Sequence, residues 1–315
     1  MNISIVIPVY NSSSIIENLA NDILSTTKEI SDVNKIQLIL VNDCSTDESW
    51  KKISKLSSEY KEMVIGINLM RNYGQHNAIM AGLKLADGDY TILIDDDYQH
   101  PPKEIPKILS KIREGYDVCY TNYKNNAYSK FKIFGSWINR KISNILIDKP
   151  KSIYLSSYKC ITKKVLREII KYDGPFVYID GLIFDITKNV TSIDIEHSKR
   201  KLGKSNYNLF KLISLWLRVL TNFSIVPLRI ATLIGFFMTL ISFIIVIVIV
   251  ILKINNPAIA AGWASLSTLI VFFSGVQLIL IGLVGEYIGR SYIKLNKKPQ
   301  FVVREYTNFK ESDEK

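Results

Sequence analysis

Residues 90–102 read YTILIDDDYQHPP, a short apolar run that ends in three consecutive aspartates and is followed by two prolines. A continuous apolar run of this length is typical of a strand buried on both faces of a parallel sheet. Adjacent carboxylates accumulate negative charge, which is costly unless a cation neutralises it. Because Asp95 and Asp97 are two residues apart, they face the same way in an extended segment, and their oxygens suit Mg²⁺ or Mn²⁺. The stretch therefore predicts a metal-binding strand end.

Short apolar runs also alternate with helical stretches through the first 125 residues, which predicts an α/β domain with a mostly parallel sheet. The candidate strands are residues 3–9, 37–42, 64–69, 90–95 and 117–123. The candidate helices between them are residues 13–27, 46–60, 74–86 and 102–114.

Polar residues follow three of these strands. They are Tyr10 and Asn11, then Asp43, then the acidic run that includes Asp96. Ligands bind beyond the carboxyl ends of the strands in such sheets, so we expect one common site. The segment after the second strand is either a helix cap, in which Ser45 or Thr46 starts the next helix, or a ligand contact through Asp43, and the two interpretations are compatible.

Basic residues supply two candidate phosphate contacts. Arg71 follows the third strand, where it can pair with a phosphate. Residues 200–207, RKLGKSNY, combine arginine and lysine with serine and a flexible glycine. This segment is either a phosphate-binding loop that includes Arg200 and Ser205 or a basic linker at a membrane surface.

Two long uncharged runs follow, at residues 230–252 and about 263–285. Roughly 20 apolar residues span a bilayer core, so the two runs predict a transmembrane hairpin. Basic residues precede the first run and follow the second, whereas the connecting loop carries one lysine. By the positive-inside rule, both termini and the α/β domain are cytosolic, at the inner (cytoplasmic) membrane. The first eleven residues lack the basic flank of a signal peptide.

The chain has 315 residues, 48% of them hydrophobic, and a formal net charge of +11. The basic residues crowd the predicted membrane border, where they meet anionic headgroups, so membrane lipids are expected partners and nucleic acid is not. The three cysteines are isolated, which indicates free thiols in a reducing compartment.

Four segments follow from these patterns. Residues 1–206 form the cytosolic α/β domain, 207–228 an amphipathic juxtamembrane segment, 229–288 the two spans and 289–315 a basic tail. Within the second segment, residues 207–223 place leucines and aromatic residues among basic ones, which favours a helix at the membrane interface.

Together the motifs resemble family 2 glycosyltransferases of the GT-A fold, specifically the polyprenyl-phosphate glycosyltransferases. The matching motifs, in the family's order, are IVIPVYN, VNDCSTD, RNYGQHNAIMAGLKLADGDY, IDDDYQHPPKEIP, RKLGKSNY and GLVGEYIGRSY. The resemblance covers nearly the whole chain. It implies inverting transfer of a sugar from a nucleotide sugar, with UDP as the nucleotide, to a polyprenyl phosphate such as undecaprenyl phosphate. It also implies a homo-oligomer, a tetramer in that family.

Carried over residue by residue, the resemblance implies that Pro8, Tyr10 and Asp43 border the base and ribose. It implies that Asp95 and Asp97 contact the diphosphate through the metal and that Gln99 is a further metal ligand. The remaining implied positions are Arg71 near the donor, and Arg200 and Ser205 near the phosphates.

The chain departs from the family at several positions. Ser12 stands where many members have Glu, and Tyr123-Lys124 stand where an Arg is usual. Ser157-Tyr158-Lys159 replaces an Asp-Phe-Arg element, so an acidic residue is missing. A lipid phosphate is already anionic, however, and needs charge screening and alignment more than a general base. Candidates to supply that charge are Lys159, Lys124, Arg140 and Arg200.

Two alternatives stay open. One is an enzyme that extends a polysaccharide, although such enzymes usually have more spans and a Gln-x-x-Arg-Trp motif that this chain lacks. The other is a non-catalytic membrane scaffold, which the intact set of Asp95, Asp97 and Gln99 disfavours.

Overall fold

The computed structural model describes residues 1–123, 150, 153–174, 177–195, 262–296 and 299–309, together with scattered positions between 233 and 255. The chain divides into two compact units. The first comprises Met1–Asn206 with Lys298–Lys315, and the second comprises Tyr207–Lys297.

In the first unit, strands and helices alternate along the chain. The strands are β1 (Asn2–Val9), β2 (Lys35–Asn42), β3 (Val64–Leu69), β4 (Tyr90–Leu93), β5 (Val118–Tyr123), β6 (Lys159–Thr162), β7 (Val190–Ile195) and β8 (Val303–Thr307). The helices are α1 (Ile16–Lys28), α2 (Ser49–Glu59), α3 (Gln75–Leu85), α4 (Ile105–Ile112), α5 (Lys163–Ile169) and α6 (Ile179–Ile186). Each strand and helix predicted within residues 3–123 is present, with its ends shifted by at most a few residues.

All eight strands form one sheet in the order β7-β5-β6-β4-β1-β2-β3-β8. Its centre is parallel, because β1 pairs in parallel with both β2 and β4, and β2 pairs in parallel with β3. The antiparallel neighbours are β4 with β6, β5 with β6, and β3 with β8. The prediction of a mostly parallel α/β sheet is therefore confirmed.

The core lies on both faces of this sheet. Successive residues of a strand face opposite sides, so Ile5 and Ile7 pack in one cluster with α1, α2 and α4 while Val6 packs in the other with α3, α5 and α6. Both faces are thus covered by helices, as the continuous apolar runs predict. The ends of the strands are therefore the part of the sheet where a ligand can bind.

The C-terminal tail contributes an edge strand that the sequence analysis does not predict. In β8, Tyr306 pairs with Ile67 of β3. The backbone N–H of Gly66 donates to Thr307 Oγ1 at 2.8 Å, and Asn68 Nδ2 donates to Glu305 Oε1 at 2.9 Å. Residues 289–315 are therefore not only a basic tail, because part of them completes the sheet.

The second unit contains one helix with continuous bounds, α7 (Trp263–Leu295), which includes the predicted second span at residues 263–285. Within the part of the chain that the structure describes, no helix has the length and apolar character needed to cross a membrane. Most of the predicted first span at residues 230–252, and all of the predicted interfacial helix at 207–223, lie outside the described residues.

Candidate active site

The parallel strands bring the predicted polar residues to one edge of the sheet. Val9 at the end of β1 pairs with Asn42 at the end of β2, and Val6 of β1 pairs with Leu93 at the end of β4. The segments that follow β1, β2 and β4 consequently leave the sheet side by side. The register therefore confirms that the ends of these strands converge at one edge of the sheet.

Asp96 ties the end of β4 to the end of β1. Its Oδ2 accepts a hydrogen bond from the backbone N–H of Tyr10 at 3.0 Å and a second from the hydroxyl of Ser12. Burial raises the pKa of the Asp96 carboxyl to about 6, although these two hydrogen bonds act in the opposite direction. Asp96 therefore joins the backbone that follows β1 to the acidic run that follows β4, and Tyr10 is half-exposed.

Asp95 is held by two polar side chains, one on each carboxylate oxygen. Gln75 Nε2, at the start of α3, donates to Oδ1 at 2.6 Å. The hydroxyl of Ser157 donates to Oδ2 at 2.5 Å. The backbone N–H of Asp95 also donates to His100 Nδ1 at 3.3 Å. Asp95 is partly exposed, and its two side-chain partners fix the orientation of its carboxylate.

Asp97 lies in the turn that follows, where its Oδ1 accepts the backbone N–H of Gln99 at 3.1 Å. Within the described residues, no group of three or more His, Cys, Asp or Glu side chains is arranged to hold a metal ion. Asp95, Asp97 and the amide oxygen of Gln99 are nevertheless hard oxygen donors. Such donors fit Mg²⁺ or Mn²⁺, and Mg²⁺ usually completes its coordination with water and substrate phosphates. The residues therefore fit a cation that is shared with a phosphate ligand.

Asp43, at the end of β2, has different surroundings. It is only 3% exposed, and its two oxygens accept the backbone N–H groups of Tyr73 at 2.7 Å and Gly74 at 2.9 Å. Burial raises the pKa of Asp43, an effect that the two backbone hydrogen bonds partly offset. The structure thus places Asp43 beneath the loop that precedes α3, where both carboxylate oxygens hold backbone.

The β1 and β2 end segments are also joined to each other. Asn11, which has a positive φ of 54°, donates its backbone N–H to Ser45 Oγ at 3.0 Å and accepts the N–H of Thr46 on Oδ1 at 2.8 Å. Pro8 is within β1, opposite Val41 of β2. These contacts fix the backbone around Tyr10.

Arg71 is exposed, and its guanidinium lies 4.7 Å from the centroid of the Tyr73 ring. This cation–π contact holds the charge over the loop that Asp43 supports. The side chain is therefore placed at the same edge of the sheet, in a position open to an anion.

Lys159, predicted to screen an acceptor phosphate, is placed inside the fold. It is 3% exposed, and its ammonium is paired with the carboxylate of Asp180. The Nζ atom also lies 4.9 Å from the centroid of the Tyr120 ring, whose hydroxyl donates to the same Asp180 oxygen at 2.9 Å. Because a buried lysine needs such a partner, its charge is neutralised there and not open to a ligand.

Several predicted residues cannot be located at the site. Arg200, Ser205, Lys124 and Arg140 lie outside the described residues. Conversely, the sequence analysis does not assign Gln75, Ser157 or His100 to the site. His100 is 4% exposed, and its Nδ1 accepts the backbone N–H of Asp95. For Ser157, the sequence did contain one indication of a place at the site, which is that it departs from the family pattern.

Comparison with known proteins identifies the family and supports the fold. The sequence model described as Glycosyl transferase family 2 matches residues 4–170. A second model, described as GtrB C-terminal hairpin, matches residues 226–291.

Among curated proteins, the chain is similar to undecaprenyl-phosphate 4-deoxy-4-formamido-L-arabinose transferases. It is 33% identical to the one from Proteus mirabilis (strain HI4320), over 98% of this chain and 94% of that protein. It is 32% identical to the one from Photorhabdus laumondii subsp. laumondii, over 96% of this chain and 93% of that protein.

Among solved structures, the fold is similar to glucosyl-3-phosphoglycerate synthase from Mycobacterium tuberculosis. The complex of that protein with Mn²⁺, uridine diphosphate and phosphoglyceric acid has a TM-score of 0.53 at 17% identity, covering 70% of this chain and 76% of that chain. The complex with uridine diphosphate has a TM-score of 0.51 and covers 70% of this chain and 78% of that chain. At this identity the likeness concerns the fold.

Proposed function

The chain belongs to glycosyltransferase family 2 and has the GT-A fold, and we propose that it transfers a sugar from a nucleoside diphosphate sugar to a polyprenyl phosphate. The product is a polyprenyl-phosphate sugar for synthesis or modification of cell-envelope glycans. Undecaprenyl phosphate is the proposed acceptor, in agreement with the names of the similar transferases. UDP is the proposed nucleotide.

The observation that carries this proposal is the fixed arrangement at the carboxyl ends of β1 and β4. Asp96 joins the two segments through the backbone N–H of Tyr10 and the hydroxyl of Ser12, so the backbone at Tyr10 is held against the acidic run. We assign Tyr10, with Pro8 and Asn11, to the base and ribose. We assign the acidic run to the diphosphate.

Asp95, Asp97 and Gln99 would hold a divalent ion, Mg²⁺ or Mn²⁺. When bound, this ion supplies positive charge to the departing nucleoside diphosphate. Arg71 lies at the same edge and adds a donor for a phosphate oxygen. Asp43 has both oxygens on the backbone of the 73–74 loop, so we assign it to holding that loop and not to direct contact with the nucleotide.

The reaction requires no strong general base on the acceptor. A phosphate monoester of a lipid is anionic at neutral pH, so it attacks the anomeric carbon directly while the nucleoside diphosphate departs from the opposite face, with inversion. The protein's task is alignment and charge screening. Since Lys159 is paired with Asp180, we assign that screening to Arg200 together with Ser205.

This assignment predicts that Arg200→Ala impairs transfer severely while the protein still folds and inserts. An Arg200→Lys change should restore only part of the activity, because lysine offers a point charge and not a planar fork. Equal activity of all three proteins would remove Arg200 from the site.

We further propose that two spans, at residues 230–252 and 263–285, anchor the enzyme in the cytoplasmic membrane with both termini in the cytosol. The first unit contains both Met1–Asn206 and Lys298–Lys315. A segment that leaves this unit and rejoins it must cross the membrane an even number of times. Thiol-labelling of single cysteines at residues 255–261 from outside the cell should therefore succeed, and labelling of the C-terminus from outside would contradict the proposed topology.

The test of the reaction uses the purified full-length chain in detergent with Mg²⁺ or Mn²⁺, undecaprenyl phosphate and a panel of radiolabelled nucleotide sugars. We expect label in the organic phase with at least one UDP-sugar, and none when undecaprenol or a free sugar replaces the lipid phosphate. Efficient transfer to a sugar hydroxyl would contradict the proposal and favour an enzyme that extends a polysaccharide. Failure with every donor would also contradict it.

A further inference from the structure

We propose that Ser157 is a positioning residue for the transfer reaction, acting with His100 to orient the carboxylate of Asp95. This inference rests on the proposed function, because it takes Asp95 as a ligand of the diphosphate-bound cation. Neither Ser157 nor His100 was predicted to be at the site. Ser157 stands where the related enzymes often carry an acidic residue.

The observation is a closed ring of three hydrogen-bonded residues. The backbone N–H of Asp95 lies 3.3 Å from His100 Nδ1. The other ring nitrogen, Nε2, lies 3.4 Å from Ser157 Oγ. The Ser157 hydroxyl in turn lies 2.5 Å from Asp95 Oδ2. Each residue therefore contacts both of the others.

The direction of these hydrogen bonds is determined by the donors. Since a backbone N–H can only donate, His100 Nδ1 must accept, and the neutral imidazole then carries its hydrogen on Nε2. Nε2–H faces the oxygen of Ser157, so the single hydroxyl hydrogen of Ser157 is directed to Asp95. The ring has one consistent direction, and it ends on a carboxylate oxygen.

The surrounding fold fixes the ring in place. In the antiparallel pairing of β4 with β6, Leu93 lies opposite Lys159, so residue 157 reaches the level of residue 95. The His100 ring packs at 5.2 Å from the ring of Tyr158. His100 is 4% exposed, which keeps water from competing for its nitrogens.

Together with Gln75, this arrangement holds both oxygens of Asp95. Gln75 Nε2 donates to Oδ1 at 2.6 Å, while Ser157 donates to Oδ2. Each oxygen keeps further lone pairs, so the carboxylate can still bind a cation, but only in the orientation that its two partners set. Outer partners of this kind orient metal ligands, and their loss typically weakens metal binding by about 10- to 100-fold.

The test compares the full-length protein with its Ser157→Ala variant, using titration calorimetry of UDP at a series of Mn²⁺ concentrations. We expect the half-saturating Mn²⁺ concentration to rise by about 10- to 100-fold in Ser157→Ala. Ser157→Thr keeps the hydroxyl and should stay close to the wild type. Thr121→Val is the matched fold control, because it removes a buried hydroxyl that bonds Ser156 and the backbone of Tyr158, one residue to either side of Ser157.

An unchanged half-saturating Mn²⁺ concentration in a folded Ser157→Ala variant would overturn the inference. A rise in that concentration in Ser157→Thr or Thr121→Val as large as the rise in Ser157→Ala would overturn it too. Failure of the proposed function has a different signature, since the wild type itself would then bind UDP without any effect of Mn²⁺ and transfer no sugar.

Discussion

The carboxyl ends of β2 and β4 carry the same local signal, an aspartate one or two residues after a buried strand, yet the two aspartates have different surroundings. Asp43 is 3% exposed, and backbone N–H groups occupy both of its oxygens. Asp95 is partly exposed and is oriented by side chains, Gln75 and Ser157. The first carboxylate holds a loop, whereas the second remains available to a ligand.

The comparison shows what decides the role of an acidic strand end. A buried carboxylate that accepts a backbone N–H on each oxygen is a structural element, because removing it leaves those N–H groups unpaired. A carboxylate that is oriented by side chains and still faces solvent can bind a cation. Spacing along the sequence does not separate these cases, since the donors to Asp43 come from residues 73 and 74.

The largest expected effect concerns Asp97 at the β4 end. Asp97→Asn should lower turnover by at least about 100-fold, equivalent to roughly 2.7 kcal/mol of barrier, because it removes a charged ligand from the proposed cation site. Steady-state assay of lipid-linked product measures this loss. The melting temperature should stay near that of the wild type, and near-normal turnover, or full activity in excess EDTA, would remove the metal role.

A different outcome is expected at the β2 end. In Asp43→Asn the side-chain NH₂ cannot accept, so one backbone N–H of the 73–74 loop loses its partner at a cost of about 1–3 kcal/mol. Thermal unfolding should shift downward by about 2–4 °C for each kcal/mol lost, and turnover should fall less than in Asp97→Asn. Asp185→Asn is the matched control, because Asp185 is exposed on α6. An unshifted melting temperature in Asp43→Asn would contradict the structural role.

The smallest effect should come from a contact between β8 and the backbone just after β3, ahead of the 73–74 loop. Arg304 Nη2, in β8, donates to the carbonyl oxygen of Met70 at 3.3 Å, and both residues are exposed. Arg304→Ala should therefore raise the donor KM by less than about threefold, equivalent to roughly 0.65 kcal/mol. Arg113→Ala, which removes an exposed arginine paired with Asp32, is the control. A larger rise would mean that β8, and not Asp43, chiefly holds the loop.

Much of the fold follows from the sequence because its decisive signals are local. Continuous apolar runs predict the parallel strands, and polar residues after β1, β2 and β4 predict their common edge. The antiparallel strands β6 and β8 escape prediction because they are short and pair with strands far away in the chain. These two strands are recognisable only from the strands with which they pair, and a short window of sequence does not contain both partners.

The site itself is predicted less completely, for a related reason. Asp95 and Asp97 stand out through accumulated charge, but Ser157 and His100 are ordinary residues until β6 pairs with β4. Lys159 was expected to meet the acceptor, and in the structure it is buried and paired with Asp180 of α6. The burial of a charge depends on its partner, and the sequence does not reveal that partner.

The most direct test of the account asks which strand end holds the cation. Electron paramagnetic resonance of Mn²⁺ with a fixed concentration of UDP distinguishes protein-bound from free ion in the wild type, Asp97→Asn and Asp43→Asn. The account predicts that folded Asp43→Asn retains the bound signal and that Asp97→Asn loses it. A bound signal that persists in Asp97→Asn, or one that disappears in folded Asp43→Asn, would contradict the assignment of the donor diphosphate to the end of β4.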